Sequence, residues 1–308
     1  MTDGRRVKLD LTGATGFIAR GVMEACADAG VACRALSRSG RPDWVPPAVA
    51  WRTVPSYADA DALAGALSRG GCLLHLADNP ARDAERSADA AARLCAGLIE
   101  AARRAGTARI IVASSVHARD AQAGPASYGA VKRLVEQRFL AARGHGIDVV
   151  ILRLSPVYGP GGAGGFAALS RLVARGVPLP FGRAAAPRAY LSRRNLVALV
   201  LAMAGAGDAA WAEASGRIFE PSDGEPIGTR DLVRAMAAQI GVAPRLLPVP
   251  PRLLRLLAGA TRTGSLLSGA LDELRVAPPL ELERRFGWRP VERMPESLAF
   301  LAAEVRRA

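Results

Sequence analysis

The chain has 308 residues, of which 50% are hydrophobic and 22% are charged, proportions typical of a soluble globular protein. No apolar run reaches the roughly 18–20 residues of a membrane span, and residues 1–5 lack the apolar core of a signal peptide. We therefore expect a cytoplasmic protein without a membrane span. The net charge of +13 is carried almost entirely by arginines spread along the chain, without a nucleic-acid-binding motif. This spread favours a compositional bias of the coding sequence over a nucleic-acid partner.

Residues 7–26 have the pattern of a strand, a glycine-rich turn and a helix N-terminus. In such a turn the backbone N–H groups converge and the helix dipole adds partial positive charge, so the pattern predicts an anion site. Gly13 would allow the tight turn, Gly16 would let a pyrophosphate approach the backbone, and Ala19 would let the helix lie close to the sheet. Because no Gly-Lys-Ser/Thr sequence ends the turn, we predict a dinucleotide site rather than a P-loop; the alternative is a purely structural turn.

The second predicted strand, residues 31–38, ends at Ser37 and Arg38. In a Rossmann unit the end of this strand faces the adenosine ribose, where an acidic residue binds the 2′-hydroxyl and an arginine accommodates a 2′-phosphate. No acidic residue stands at this strand end. Arg38 therefore favours NADP(H) as the cofactor, with NAD(H) as the alternative, unless it is simply an exposed arginine.

Strands and helices then alternate at a regular spacing. The predicted strands lie near 49–54, 71–77, 108–114 and 147–154, and the predicted helices at 57–68, 83–104 and 133–143. This alternation predicts an α/β fold of the Rossmann type, a doubly wound parallel sheet with helices on both faces.

After about residue 160 the regular repeat breaks into shorter pieces. The predicted helices there lie at 166–175, 194–204, 229–240 and from 295, with an amphipathic stretch at 249–270. We expect that stretch to pack on the domain, with a membrane-surface helix as the alternative. The predicted NAD(P)-binding Rossmann domain covers 1–160, with 187–204 returning to it. A smaller C-terminal α/β substrate-binding domain would comprise 161–186 and 205–308.

Ser114 and Ser115 follow a predicted strand at the sheet edge where open α/β sheets bind ligands. Tyr128 and Lys132 are four residues apart, so on a helix they share one face. An ammonium beside a phenol favours the phenolate, which would let Tyr128 transfer protons near neutral pH while the Ser115 hydroxyl holds a substrate oxygen. A Tyr-x-x-x-Lys spacing alone is common on helix surfaces. Its position after the glycine-rich turn and the two serines indicates catalysis.

The pattern of the histidines and cysteines indicates structural roles rather than metal binding. His75 falls in a buried strand, where we expect it to order the strand end. His117 and His145 stand alone without metal-ligand spacing, so no metal site is predicted. The four cysteines are scattered without a Cys-x-x-Cys pair and are expected to be mostly buried thiols: Cys26, Cys33, Cys72 and Cys95.

Taken together, these motifs resemble the extended short-chain dehydrogenase/reductases, the group of NAD-dependent epimerase/dehydratases, essentially from end to end. The segments that carry the resemblance are 12–19, 75–77, 114–115, 128–132, 152–160, 178–180 and 286–290. Within the group the chain is most similar to bacterial nucleotide-sugar 4-ketoreductases and 4-epimerases of surface-polysaccharide pathways. The stretches 219–224 and 247–251 point to this subgroup.

The resemblance implies roles for individual residues. Ser115, Tyr128 and Lys132 match the catalytic serine, the tyrosine acid/base and its lysine partner. The implied substrate-binding residues are Ser115, Tyr158 in the substrate loop, and Arg188 as a clamp on the substrate diphosphate. The implied cofactor-binding residues are Gly13, Thr15, Gly16, Phe17, Ile18, Ser37, Arg38, Leu76, Ala77, Ser114, Tyr128 and Lys132. The resemblance also allows a homodimer, as in many relatives.

Five positions depart from the family pattern. Val116 and His117 stand where sugar 4,6-dehydratases carry Asp-Glu, which disfavours dehydration. Ser155 replaces the asparagine of many epimerases and leaves that substrate contact in doubt. Asn195 replaces a usual aspartate, a change expected to affect packing. Asp10 is unusual inside a first strand.

The sequence therefore predicts an NAD(P)-dependent oxidoreductase or epimerase that acts at C4 of a nucleotide-linked sugar by a Ser-Tyr-Lys mechanism. Reduction of a 4-keto sugar is favoured, because Arg38 points to NADP(H). The main alternative is a UDP-sugar 4-epimerase with tightly bound NAD. Further alternatives are a non-catalytic NADP sensor and a reductase of a small non-nucleotide carbonyl.

Overall fold

The structure of the protein is a computed structural model that describes residues 7–77, 84–119, 127–144, 146–259 and 269–306. His145 and residues 260–268 of the predicted amphipathic stretch lie outside the described residues. All four cysteines are buried thiols, as predicted.

A seven-stranded sheet forms the centre of the fold, and every pair of neighbouring strands in it is parallel. Its strands are β1 (Lys8–Thr12), β2 (Ala32–Ser37), β3 (Ala50–Thr53), β4 (Cys72–His75), β5 (Arg109–Ser115), β6 (Asp148–Leu154) and β10 (Ile218–Phe219). The order across the sheet is β10-β6-β5-β4-β1-β2-β3. The chain reverses its direction of progress between β1 and β4, which is the switch point where doubly wound sheets bind ligands. The predicted fold class is confirmed.

Helices connect several strands of this sheet, and further helices follow in the C-terminal half of the chain. The helices are α1 (Phe17–Asp28), α2 (Ala60–Ala66), α3 (Ala84–Ala105), α4 (Tyr128–Ala141), α5 (Gly164–Ala174), α6 (Arg193–Gly205), α7 (Asp208–Ala214), α8 (Thr229–Ile240), α9 (Pro251–Gly259), α10 (Leu280–Phe286), α11 (Met294–Ser297) and α12 (Phe300–Val305). A 3₁₀ turn, Val116–Arg119, follows β5. Because parallel crossovers are right-handed, the reversal at β1 places α1 on one face of the sheet and α2, α3 and α4 on the other. Buried residues of the latter face include Leu63, Leu73, Leu98, Ile110, Phe139 and Val149.

The chain divides into two compact units. The first comprises Met1–Leu154, Val197–Pro221 and Leu280–Arg289, and the second comprises Ser155–Leu196, Ser222–Pro279 and Pro290–Ala308. The first unit differs from the predicted Rossmann domain by including 205–221 and 280–289, and by leaving 155–160 and 187–196 to the second unit. The physical reason for the added segments is that β10 extends the sheet beside β6 and that Phe286 packs its ring against Trp211, 5.9 Å between centroids.

The second unit has a core and two small sheets of its own. β7 (Val157–Tyr158) pairs with β9 (Leu191–Ser192), and β8 (Pro187–Arg188) pairs with β11 (Ile227–Gly228). Its core gathers side chains from distant parts of the sequence, among them Tyr158, Val173, Phe181, Leu232, Met236 and Leu298.

The helix predictions hold best where the apolar periodicity is strong. Helix α8 has the predicted bounds, whereas α7 and α10, of seven residues each, were not predicted. The amphipathic stretch is helical over Pro251–Gly259. Of the helices in the described ranges, none alone is both long and apolar enough to cross a bilayer. Helices α6 and α7 meet that requirement only as a pair, and they are bent by 115°.

Candidate dinucleotide and catalytic site

The turn between β1 and α1 is built by two glycines. Gly13 has φ = 70°, a left-handed conformation that favours glycine, and a Cβ there would lie 2.8 Å from the Ala77 nitrogen. Gly16 donates its N–H to the Gly13 carbonyl at 2.9 Å and stands directly before the first residue of α1. The turn therefore lies against the backbone that follows β4, with the N-terminus of α1 at its end. This is the cradle that a pyrophosphate needs.

A cavity of about 460 Å³ opens beside this turn in the first unit. Seven of the predicted cofactor-binding residues line it: Gly13, Thr15, Gly16, Ser37, Arg38, Leu76 and Ala77. Phe17 and Ile18 begin α1 but do not line the cavity. The described lining residues include no carboxylate and two arginines, Arg38 and Arg93. The cavity is thus suited to an anionic ligand.

Arg93 and Tyr57 line the cavity but were not predicted from the sequence. Arg93 lies in the middle of α3, and its position in the sequence is typical of an arginine on an exposed helix surface. The Tyr57 hydroxyl accepts from the Gly13 N–H at 3.1 Å and donates to the Leu36 carbonyl at 2.8 Å, so it ties the glycine-rich turn to β2. The Arg38 guanidinium lies 5.8 Å from the Tyr57 ring centroid. No local motif marks either residue.

His75 joins the ends of β1 and β4. Its Nδ1 lies 2.8 Å from the Thr12 hydroxyl, and its ring packs on Phe139 at 5.2 Å. Burial, together with the nearby Lys132 ammonium, lowers the pKa of His75 to about 3. The imidazole is therefore neutral at physiological pH and orders the strand end, the role expected from the sequence.

The structure brings together the three predicted catalytic residues in the first unit. Ser115 is the last residue of β5, and its hydroxyl oxygen accepts a hydrogen bond from the backbone N–H of His117 at 3.3 Å. Tyr128 is the first residue of α4, with a half-exposed ring whose edge meets the His117 ring at 6.2 Å. The Lys132 ammonium lies 5.6 Å from the Tyr128 ring centroid.

Lys132 also lies beside the cavity. It is buried and lines a small adjoining cavity of about 20 Å³, of which Ala77 forms another wall. Ala77 and Leu94 line both cavities, so the two lie next to each other.

Ser114 is oriented differently from its predicted role. Its hydroxyl donates to Glu136 of α4 at 2.5 Å, and Glu136 in turn accepts two hydrogen bonds from Arg153 of β6, at 2.9 and 2.7 Å. The side-chain hydrogen bond of Ser114 is thus made to protein rather than left for a cofactor. Glu136 was not predicted from the sequence, although its four-residue spacing from Lys132 places both on one helix face.

The predicted substrate contact Tyr158 belongs to the core of the second unit. It is 1% exposed, its hydroxyl donates to Asp223 at 2.7 Å, and its ring stacks on Phe166 at 4.6 Å. Burial and the Asp223 carboxylate raise the pKa of Tyr158 well above its usual range. The structure therefore does not favour direct substrate binding by this side chain, because its hydroxyl is occupied and its surface is covered.

Asn195 has the packing role that the sequence suggested. Its amide nitrogen donates to Asp223 at 2.7 Å and to the Glu292 carbonyl at 2.9 Å, while its oxygen accepts from the backbone N–H groups of Val291 and Glu292. An aspartate at this position would place a second carboxylate against Asp223. The amide joins two segments of the second unit without that repulsion.

Arg188, the remaining predicted substrate residue, lies in the second unit, as does Ser155, which departs from the family pattern. The Arg188 guanidinium is buried, donates to the Asp272 carbonyl and hydrogen-bonds Tyr190. Ser155 is 2% exposed, and its hydroxyl has no hydrogen-bond partner within the described ranges. The contact of Arg188 with a substrate stays a prediction.

Hydrogen bonds explain why the first strand contains Asp10. Its carboxylate accepts from the backbone N–H and the hydroxyl of Ser68, at 2.6 and 2.9 Å. Burial raises the pKa of Asp10, and the bonds from Ser68 oppose that effect. The residue therefore anchors the chain that leads from α2 to β4.

A curated relative supports the similarity at sequence level. The chain is 32% identical over 189 residues to the UDP-glucose 4-epimerase of Vibrio cholerae. The matched region covers 58% of this chain and 55% of that enzyme, slightly more than half of its length.

Solved structures share the fold over nearly the whole chain. A UDP-glucose 4-epimerase from Thermotoga maritima, determined with UDP-glucose, has a TM-score of 0.74 at 19% identity and covers 97% of this chain and 99% of its own. A UDP-glucose 4-epimerase from Thermus thermophilus, determined with NAD, has a TM-score of 0.68 at 22% identity, with 98% and 99% covered. At these identities the likeness is one of fold.

The match to a protein family is broader than any single motif. Residues 10–215 match the NAD dependent epimerase/dehydratase family, and this segment exceeds half of the chain. It contains both the glycine-rich turn and the Ser115, Tyr128 and Lys132 cluster. The chain therefore belongs to the NAD dependent epimerase/dehydratase family.

Proposed function

We propose that this protein is an NAD(P)-dependent enzyme that inverts the C4 carbon of a nucleotide-linked sugar. The observation that carries the proposal is that Ser115 and Tyr128 both contact His117, while Lys132 lies beside the Tyr128 ring and lines a cavity next to the one at the glycine-rich turn. The related UDP-glucose 4-epimerase of Vibrio cholerae favours this reaction class. Because Val116 and His117 stand where dehydratases carry acids, elimination of water is not part of the proposal.

The residues of the cavity fit a dinucleotide. The close approach of Gly13 to Ala77 leaves no room for a side chain, and the N-terminus of α1 supplies partial positive charge where the pyrophosphate would lie. Ser37, Arg38 and Arg93 would hold the adenosine end. When bound, the nicotinamide takes up the C4 hydride and returns it.

The protein's own residues would handle the proton. As C4 loses its hydride, Tyr128 accepts the proton of the C4 hydroxyl, and Ser115 holds that oxygen by a hydrogen bond. Lys132 keeps positive charge near the phenol. When the hydride returns to the other face of the 4-keto sugar, Tyr128 gives the proton back to the oxygen. The half-exposed ring of Tyr128 leaves it accessible for this exchange.

Reduction of a 4-keto sugar by NADPH, the reaction favoured by the sequence, is the second candidate. It is favoured by the two arginines of the cavity, Arg38 and Arg93, because two cations in a cavity whose described lining has no carboxylate suit a 2′-phosphate. In this version reduced cofactor is consumed and Tyr128 only donates a proton.

One turnover experiment separates the two reactions. The purified protein is given UDP-glucose without added cofactor, and the sugar products are resolved by chromatography and NMR. We expect conversion to the C4 epimer, with a dinucleotide released when the protein is denatured. Conversion that occurs only with a 4-keto nucleotide sugar and stoichiometric NADPH would instead establish reduction. No turnover of UDP-glucose, UDP-N-acetylglucosamine or a 4-keto nucleotide sugar would refute action at C4.

The cofactor preference gives a second test. If the arginines hold a 2′-phosphate, NADP should protect against thermal unfolding more strongly than NAD at equal concentration. Arg38→Ala and Arg93→Ala should each weaken NADP binding about 10-fold or more and change NAD binding little, as measured by titration calorimetry. Arg52→Ala, an exposed arginine outside the cavity, is the matched control. Stronger protection by NAD in the wild type would contradict the NADP assignment.

A further inference from the structure

Three side chains share one face of α4. Tyr128, Lys132 and Glu136 follow one another at intervals of four residues. Consecutive members are therefore about 6 Å apart along the helix axis. The first two belong to the proposed catalytic group, whereas Glu136 has no assigned role. It is 2% exposed, which is unusual for a carboxylate.

Glu136 is held from two strands. One carboxylate oxygen accepts from the Ser114 hydroxyl at 2.5 Å, and both oxygens accept from the Arg153 guanidinium. Ser114 directly precedes Ser115, the proposed holder of the substrate oxygen. The carboxylate thus ties the catalytic face of α4 to the ends of β5 and β6.

A gain in folding stability does not by itself explain why this ion pair is present. Burial of two charges costs desolvation free energy that their attraction often only balances, so an apolar pair of similar size would hold the elements equally well. The bond to Glu136 raises the pKa of Arg153, so the guanidinium keeps its charge. What an apolar pair cannot supply is a defined charge beside Lys132.

We infer that Glu136 and Arg153 are positioning residues for the proposed Tyr128–Lys132 pair, setting the place of α4 and the local charge balance. The inference rests on the proposed function for the reaction that it serves. Neither residue touches the reacting atoms; both act through α4. While both partners are present, their opposite charges nearly cancel at Tyr128. When one partner is replaced, the charge of the other acts on Tyr128 without compensation.

The other groups that face this cluster are few within the described ranges. From the neighbouring elements they are His75 of β4, Cys95 of α3, His117 and Arg119 of the 3₁₀ turn, and Glu220 after β10. His75, with its pKa lowered to about 3 by burial, is neutral near pH 7. Cys95 is neutral too, since burial raises its pKa to about 11. Glu220 pairs with Arg119 and lies 4.0 Å from Arg153.

The test measures the phenol of Tyr128 directly, independently of sugar turnover. Ultraviolet absorbance of the phenolate is titrated in each variant and in the same variant carrying Tyr128→Phe, and the difference reports Tyr128 alone. Glu136→Gln leaves positive charge and should move the titration midpoint to lower pH. Arg153→Met leaves negative charge and should move it to higher pH, each by about half a pH unit or more.

Controls separate charge from general damage. The double variant Glu136→Gln/Arg153→Met is nearly neutral and should return the midpoint toward the wild type, and it remains informative if a single variant fails to fold. Glu100→Gln, which breaks an exposed ion pair on α3, should leave the midpoint unchanged. Shifts of the same sign in both single variants, or a double variant shifted as far as a single one, would overturn the inference.

Turnover distinguishes this inference from the proposed function. With an active wild type, both single variants should lose roughly 10-fold or more in kcat with little change in the affinity for dinucleotide, because α4 is misplaced relative to Ser115. If the wild type turns over no nucleotide sugar while the opposite shifts appear, the proposed function fails and the positioning role stands. Unchanged kcat in both single variants of an active enzyme would refute the role.

Discussion

Replacement of Tyr128 by phenylalanine should lower turnover of the nucleotide sugar by roughly 10²–10⁴, because the C4 oxygen then has no group to exchange its proton with. Binding of the dinucleotide should remain close to that of the wild type, since Tyr128 does not line the large cavity. Sugar turnover is measured by chromatography, and cofactor binding by thermal protection. Retained protection would show that the variant is folded and that only the chemistry is lost.

The two lysines of the chain provide a matched pair for the same prediction. Lys132→Arg keeps the positive charge but replaces a compact ammonium with a planar guanidinium. Turnover by this variant should therefore fall, as it should in Tyr128→Phe. Lys8→Arg changes an exposed residue of β1 and should have no effect. Equal turnover in Tyr128→Phe and the wild type would remove the catalytic assignment. Full protection by dinucleotide without any turnover in the wild type would favour the non-catalytic sensor.

Replacement of Gly129 by alanine should both destabilise the protein and reduce its activity. A Cβ at Gly129 would lie 2.2 Å from the His117 carbonyl oxygen, which is backbone and cannot rotate away. Helix α4 must therefore move away from the 3₁₀ turn, at a cost of about 1–3 kcal/mol in the free energy of unfolding. Because Tyr128 is the adjacent residue, turnover should fall roughly 10-fold or more.

Gly65→Ala is the control for this substitution. Gly65 lies in α2, where an added Cβ would meet nothing within 4 Å. In that helix alanine should raise the free energy of unfolding by roughly 0.5–1 kcal/mol, through helix propensity alone. Chemical denaturation measures both variants. If Gly129→Ala were as stable and active as Gly65→Ala, the close contact between α4 and the 3₁₀ turn would not exist.

The strand and helix pattern was predictable because it depends on local sequence. The buried strand β4 is a continuous apolar run, and the glycines before α1 mark a turn that few other residues allow. Tyr128 was predicted to precede its helix, whereas it is the first helical residue, because the Ser127 side chain caps the helix by accepting from the Ala130 N–H at 3.2 Å.

The partners of the site residues were less predictable. Glu136 and Arg153 are 17 residues apart, and Arg93 of α3 lines a cavity whose other described arginine, Arg38, directly follows β2. In the sequence each of them is one arginine or glutamate among many. The resemblance assigned Tyr158 to the substrate, yet its hydroxyl donates to Asp223, which lies 65 residues further along the chain.

By itself, the sequence determined the parallel α/β architecture, the glycine-rich dinucleotide turn and the candidate catalytic trio, because periodicity, glycine conformation and four-residue spacing are local properties. Only the tertiary structure decided which charged side chains form pairs. Packing brings distant segments together, and burial changes the free-energy cost of each charge. The tertiary structure assigned the Ser114 hydroxyl to Glu136, placed Arg93 in the cavity and buried Tyr158 in the second unit.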